Sequence, residues 1–348
     1  MQRLGRTKLP QHCAAWLIVL TGMPGPANGA DFPQWRGPNR DGVITGVEVK
    51  NWPEKLSKKW SVKVGEGHSS PVLVADRVYQ HARLNDREVV SAFDVASGKK
   101  LWEHSYAAPY EMNGAAVAHG KGPKSTPSVA AGKLYTFGIN GALYCTDTAT
   151  GKVVWKLETN KAPDFGTALS PAVDSGILYA HLGTKDNGAV TAFDAGTGKQ
   201  KWRWSGDGPA YASPIVATLG GVKQVLTQSQ NHVLGLDAAT GQELWKVPFK
   251  TDYDQNSVTP VVTGGLIIYS GIGQPVVAIK PSKGEKGWTA AKVWENREIS
   301  LYMNTPVLSS GLLWGLSSRN KGQFYGLDPQ SGKTIWTGEG RQAENAAI

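Results

Sequence analysis

From residue 70 onward the apolar residues fall in short runs of four to six, broken by turn formers, and no run keeps a helical period over three turns. The same order of runs returns six times. Each unit opens on a hydroxyl residue and proline: Ser70-Pro71, Thr126-Pro127, Ser170-Pro171, Ser213-Pro214, Thr259-Pro260 and Thr305-Pro306. Proline there predicts the first residue of a strand, where no ladder donor is needed. A turn follows, then a second strand ending in Tyr79, Tyr135, Tyr179, Tyr269 or Trp314, with Val225-Leu226 in the fourth unit. A third and a fourth strand complete each unit. Four short strands joined by tight turns predict one propeller blade.

The third and fourth strands carry the strongest signal. Phe93-Asp94-Val95-Ala96-Ser97-Gly98-Lys99-Lys100-Leu101-Trp102 recurs with its columns kept. The Asp column reads Asp94, Asp147, Asp194, Asp237, a degraded Lys280, and Asp328. Four residues later stands Gly98, Gly151, Gly198, Gly241, Gly284 or Gly332. Eight residues later stands Trp102, Trp155, Trp202, Trp245, Trp288 or Trp336. Two residues before the Asp the side chain is small: Ala92, Cys145, Ala192, Gly235, Ala278, Gly326. A period of 40 to 50 residues marks a repeat architecture. Asp, then Ser or Thr, then Gly predicts a turn closed by a side chain, with Gly taking positive φ. The Trp is expected to pack over the neighbouring blade, and the small residue to leave it room. In the fifth unit an insertion from Pro281 to Ala291 disturbs the pattern. Trp288 keeps the numerical register, but Lys292-Val293-Trp294-Glu295 reads more like the docking strand, so Trp294 is expected to dock. Lys58–Val64, with Trp60, reads as a fourth strand without its first three.

The expected fold is therefore all-β: a β-propeller of four-stranded antiparallel blades with tryptophan docking, six full blades plus an N-terminal strand. Over roughly residues 58–337 the repeat resembles the tryptophan-docking motif of quinoprotein propellers. Non-enzymatic pyrroloquinoline-quinone-like repeat proteins share it, including the propeller lipoprotein of the outer-membrane β-barrel assembly machinery. Phe32-Pro33-Gln34-Trp35-Arg36-Gly37-Pro38 is similar to the opening of secreted members from environmental bacteria. Such rings usually close by pairing an N-terminal strand with three C-terminal ones. The resemblance thus implies an incomplete seven- or eight-bladed ring, with the propeller domain at 58–348 missing its C-terminal part.

Composition sharpens the ends. Residues 1–30 read as a cleaved signal peptide: Arg3, Arg6 and Lys8, then apolar Ala14 to Leu20, then small Ala27-Asn28-Gly29-Ala30. The apolar run is far below the ~20 residues of a spanning helix, so no membrane span is expected. Cys13 precedes that run, which argues against a lipoprotein. Residues 31–57 read as an irregular segment packed along the body. The expected location is periplasmic or secreted. Removing residues 1–30 lowers the formal charge from +9 to +6. No block of Lys and Arg argues for nucleic acid. Cys145 would be the only cysteine left, a small buried residue rather than a nucleophile. A monomer is expected.

Candidate chemistry lies in the loops that lead into first strands and join second to third strands, since loops carry function more often than framework does. The longest, Tyr106 to Lys124, holds Tyr110, Glu111, Asn113 and His119. As a partner-binding face we single out His68, His81, Lys124, His181, Asp254, Arg297 and Arg319, the two best placed being His68 and His181. Quinoprotein dehydrogenases use a Ca²⁺ site of Glu, Asn and Asp, an aromatic floor and often adjacent cysteines; no Cys-Cys pair occurs here. Asp252-Tyr253-Asp254-Gln255-Asn256 matches half a calcium loop, but Ser257 and Thr263 stand where its Gly and Glu belong. Two readings stay open. One is a non-enzymatic scaffold with no cofactor, presenting a propeller face to a protein or polysaccharide. The other is an oxidoreductase using pyrroloquinoline quinone with Ca²⁺.

Overall fold

The computed structural model describes residues 31–47, 51, 53–344 and 346. The expected signal peptide lies outside the described residues. Six four-stranded antiparallel sheets follow one another, each a blade whose strands pair in chain order. The first blade is β1 (Val72–Val74), β2 (Arg77–Leu84), β3 (Arg87–Asp94) and β4 (Lys100–Ala107). The second is β5 (Ser128–Ala130), β6 (Lys133–Phe137), β7 (Leu143–Asp147) and β8 (Val153–Leu157). The third is β9 (Ala172–Asp174), β10 (Ile177–Thr184), β11 (Asn187–Asp194) and β12 (Gln200–Trp204). The fourth is β13 (Ile215–Leu219), β14 (Val222–Gln228), β15 (His232–Asp237) and β16 (Glu243–Pro248). The fifth is β17 (Val261–Thr263), β18 (Leu266–Tyr269), β19 (Val276–Gly284) and β20 (Gly287–Asn296). The sixth is β21 (Val307–Ser309), β22 (Leu312–Ser317), β23 (Gln323–Leu327) and β24 (Thr334–Thr337). Five apolar clusters sit between consecutive blades, so each blade buries its faces on its neighbours.

The recurrent motif builds those junctions. Asp94, Asp147, Asp194 and Asp237 each accept both the backbone N–H and the hydroxyl of the residue three further on, at 2.5–2.9 Å. Asp328 closes the same turn with Ser331. Those hydroxyl bonds, with the backbone ones, hold the carboxyls of Asp94, Asp147 and Asp194 below the usual range. The Gly of each turn has φ between +70° and +75°, and it is also where the preceding Trp lies. A Cβ on Gly98, Gly151, Gly198 or Gly241 would come within 2.5–2.6 Å of Trp60, Trp102, Trp155 or Trp202 respectively, and Gly332 meets Trp294 closer still. Both the turn and the ring therefore require glycine.

The indole N–H finds a fixed partner. Trp60, Trp102, Trp155, Trp202 and Trp294 donate to the carbonyls of Val95, Thr148, Ala195, Ala238 and Pro329, each the residue after the next motif's Asp. Tyr79, Tyr135 and Tyr179 donate to the same carbonyls as their blade's Trp. A buried indole of this kind removes ~150–250 Å² from water, an upper bound of about 4–6 kcal/mol. Trp294 rather than Trp288 docks, as expected. Cys145 is fully buried between the second and third blades, and burial pushes its thiol up to about 12.

Three details depart from the sequence reading. Lys58–Val64 carries the docking Trp60 but forms no strand; among the described residues no neighbouring strand offers it a ladder. The aromatic of the second strand ends it only at Tyr269; β2 and β10 run on to Leu84 and Thr184 because β3 and β11 extend beside them. Trp245 does not follow the docking rule. It is buried, and its N–H donates to Gln224 Oε1 in its own blade at 2.8 Å. The next motif is not a tight turn there: β19 and β20 pair all the way to Gly284 and Gly287. The resulting long hairpin reaches back, and Trp288 covers Gly220 of the fourth blade.

Candidate functional site

The hydroxyl residues noted above stand two positions before the inner strands β1, β5, β9, β13, β17 and β21, and they link the blades. Ser70 N–H donates to Thr126 Oγ1, Thr126 N–H to Ser170 Oγ, Ser170 N–H to Ser213 Oγ, Ser213 N–H to Thr259 Oγ1, and Thr259 N–H to Thr305 Oγ1, all at 2.8–3.3 Å. Each blade thus gives a donor to the next across the axis-facing edge. The column was visible in the sequence, but only its proline was interpreted.

Residues 31–43 run along this inner edge. Phe32 exchanges both backbone bonds with Leu73, and Pro33 O accepts Val129 N–H at 2.7 Å. The Arg36 guanidinium then donates to the carbonyls of Thr305 and Pro306 at 2.6 and 2.7 Å. Arg40 donates to the carbonyls of Ser170 and Pro171 at 3.0 and 2.9 Å. Trp35 lies under both cations, 5.6 and 5.5 Å from their centres. The segment is an axial plug touching the first, second, third and sixth blades. Burial pulls Arg36 down to about 10 and Arg40 down to about 9. Both stay charged at neutral pH; the carbonyl dipoles of Ser170 and Pro171 face the buried charge of Arg40, and Asp41 adds a favourable field at Arg36.

On the loop face, Asp254 is nearly buried and takes Lys185 Nζ at 2.6 Å and Lys250 Nζ at 3.2 Å. It lies in a 3₁₀ turn, Asp252–Asp254, in which Tyr253 and Asp254 hold φ of 59° and 54°. Non-glycine residues in that region are strained and cluster at functional sites. Tyr253 is 82% exposed. Nearby, Lys124 Nζ donates to Phe165 O at 2.8 Å, and burial lowers its pKa. Two clefts open here. One, about 240 Å³, is lined by Asp186, Asn187, Ser205, Asp207 and Asn231. The other, about 400 Å³, is lined by Tyr110, Glu111, Asn113, Asn140, Asn160 and Asp164.

The residues singled out from sequence scatter. Lys124 and Asp254 belong to the loop face. His68 is exposed, and its Nε2 meets His119 O at 3.0 Å. Arg297 pairs with Glu295, and Arg319 lies exposed in the turn Arg319–Lys321. His81 and His181 are not on the surface, because strands β2 and β10 carry them inside. His81 meets Glu88 Oε2 at 3.1 Å beside Tyr106, whose hydroxyl donates to the same oxygen at 2.7 Å. Burial opposes the charge of the fully buried Glu88, but His81, the Ile139 N–H and the Tyr106 hydroxyl together hold it as a carboxylate. His181 Nε2 reaches Asp207 O at 3.1 Å, its Nδ1 has no partner, and burial lowers it to about 4. Sequence reasoning missed Glu88, Asp207 and Asn140. Glu88 had one readable signal: an acid, besides the motif's Asp94, in an otherwise largely apolar strand. Asn140 reads only as half of an Asn-Gly turn.

The half calcium loop does not fit a cation. Two ammonium groups already hold Asp254. The Asn256 amide donates inward to Ser229 O, Gln230 O and Phe249 O, and its oxygen accepts Thr251 Oγ1. Among the described residues no three His, Cys, Asp or Glu side chains gather closely enough to hold a metal ion. The lining of the two clefts includes no Lys or Arg for a tricarboxylate quinone.

A family model described as outer membrane protein assembly factor BamB matches residues 85–338. The chain belongs to this family. BamB of Yersinia pestis is 23% identical over 301 residues, covering 81% of this chain and 70% of that protein. Methanol dehydrogenase (cytochrome c) subunit 1 of Paracoccus denitrificans is 24% identical over 323 residues, covering 83% of this chain and 48% of that one. This BamB-family chain spans 25–48% of the length of the first four curated quinone dehydrogenases it matches. Among solved structures, BamB from Moraxella catarrhalis superposes with a TM-score of 0.57 at 18% identity, over 80% of this chain and 74% of that one. That likeness shows the propeller fold. Among the described residues no helix is long and apolar enough to cross a membrane.

Proposed function

We propose that this chain is a non-enzymatic binding scaffold of the cell envelope, periplasmic or secreted, that presents its loop face to a protein or glycan partner. The observation that carries this reading is the axial plug. Arg36 and Arg40 fill the inner edge with side chains bonded to backbone carbonyls, so the centre of the ring serves as framework. The loop face, by contrast, displays a strained, exposed Tyr253 next in sequence to an ion-paired Asp254. Exposed aromatics are favoured anchors in protein interfaces. The name of the Yersinia relative, an assembly factor, supports the same direction. The alternative, a pyrroloquinoline-quinone-dependent oxidoreductase, rests on similarity to the Paracoccus enzyme.

Two measurements on the full chain separate these readings. A photo-crosslinking residue at Tyr253, activated in intact cells, is expected to give one dominant adduct, lost when Asp254→Ala releases the loop. Titration with pyrroloquinoline quinone and Ca²⁺ is expected to give no cofactor spectrum and no reduction of an electron-accepting dye with alcohols or sugars. Dye reduction that saturates with the quinone would overturn the scaffold reading.

A further inference from the structure

The larger cleft lies between the loop entering the second blade and the loop entering the third, and its wall includes a residue from the β6–β7 turn. Its volume, about 400 Å³, falls within the ~300–1,000 Å³ of small-molecule sites. Its polar lining is unusual in kind. Three carboxamides (Asn113, Asn140, Asn160), two carboxylates (Glu111, Asp164) and one phenol (Tyr110) face it, and no basic side chain does.

Two of the less exposed groups have donors without a protein acceptor. Asn140 is 4% exposed; its Oδ1 accepts Ala142 N–H at 3.2 Å, which leaves the Nδ2 donors at the cleft wall with no protein acceptor. The Tyr110 hydroxyl is buried and unbonded. Buried polar groups are nearly always bonded, and exceptions call for a ligand, a water or a function. The floor is also held still. Glu88 Oε1 accepts Ile139 N–H at 2.8 Å, one residue before Asn140, while Tyr106 and His81 hold its other oxygen. A buried carboxylate thus fixes the turn that presents Asn140.

We propose that this cleft binds a neutral oligosaccharide. Sugar hydroxyls both donate and accept, and so answer carboxamide donors and carboxylate acceptors side by side. The two carboxylates disfavour uronic, sialic or phosphorylated sugars. Glu88 acts as a positioning residue for Asn140. The proposal rests on the reading of the loop face as the binding surface.

The test is calorimetry on the full chain with five probes: cellotetraose, maltotetraose, tetra-N-acetylchitotetraose, tetragalacturonate and tetralysine. At least one neutral tetrasaccharide is expected to bind, with affinity unchanged between roughly 0.05 and 0.5 M salt. Asn140→Ala is expected to weaken it about tenfold, and Asn160→Ala and Tyr110→Phe by roughly three- to tenfold each, the size of single hydrogen bonds. Asn160 is exposed and unbonded, so its variant keeps the test valid if Asn140→Ala misfolds. Glu88→Gln, if folded, should lower affinity without touching the ligand. No binding by any neutral probe, or binding that ignores all three cleft substitutions, overturns the proposal. Salt-sensitive binding of tetralysine alone would assign the cleft to a cationic peptide instead. Calorimetric binding with no crosslink at Tyr253 would remove the protein-docking reading and leave the cleft; the reverse would remove the cleft only.

Discussion

The junction between the third and fourth blades and that between the fourth and fifth use the same residue type in opposite ways. In the first, Trp202 crosses to the next blade, lies on Gly241 and donates to Ala238 O. In the second, Trp245 stays home on Gln224, and a long hairpin from the next blade brings Trp288 back over Gly220. Both junctions bury a tryptophan, but in one the contact points forward along the chain and in the other backward. The difference comes from one turn. Where Asp, Thr and Gly close it tightly, the carbonyl after the Asp is aimed at the preceding indole. Where Lys280-Pro281 replaces it, the strands continue and that acceptor is lost.

The largest expected effect is at the forward junction. Trp202→Ala should cost about 3–5 kcal/mol in denaturant unfolding, since the ring is buried and its cavity cannot collapse. A loss under about 1 kcal/mol, typical of surface changes, would end the docking interpretation.

The same junction should respond to acid. His181 titrates at about 4 in the folded chain against 6.5 for an ordinary histidine. As pH falls below 6.5 the unfolded chain takes up the proton first. The stability is therefore fully present above about 6.5 and is lost progressively towards 4, about 3 kcal/mol in all. Melting curves of the wild type and His181→Leu across that range should differ by this slope; parallel curves would show that the histidine is not buried neutral.

Next comes a paired glycine test. Gly241→Ala places a methyl against Trp202 at positive φ and should cost roughly 1–3 kcal/mol. Gly284→Ala, at the same column in the fifth blade, meets nothing nearer than 3.9 Å and should stay within about 0.5 kcal/mol. Equal costs would mean that the two turns are alike after all. The smallest effect is expected at Trp336, 47% exposed and resting against Trp314 at 6.1 Å. Trp336→Ala should cost less than about 1 kcal/mol in the same assay.

What could be read in advance follows from how local each cause is. The Asp turn, its Gly and the docking Trp lie within nine residues, and the neighbour they need is another copy of themselves. That is why even the shift from Trp288 to Trp294 was legible. Arg36 and Arg40 find their acceptors 130–270 residues away, on backbone atoms that leave no mark in a sequence. The candidate cleft was half legible. Tyr110, Glu111 and Asn113 stood out in the longest loop, whereas Asn140 matters only because the Glu88 carboxylate, a blade away, fixes its turn. His81 and His181 looked like surface ligands because they were placed in the loops of the ligand face, at the ends of short strands. Strand alternation, counted residue by residue from Tyr79 and Tyr179, would have turned them inward.

The hydroxyl ladder around the inner edge bears on how such a ring can grow. The second to fifth blades each bring one N–H and one hydroxyl to the same place, giving an N–H forward while the hydroxyl receives one from the blade before. A copied blade would therefore slot into the series with its bonding already balanced, and a deleted one would leave its two former neighbours able to join. Duplication of a unit would lengthen this propeller, and loss of one would shorten it, with the inner-edge bonding kept in step.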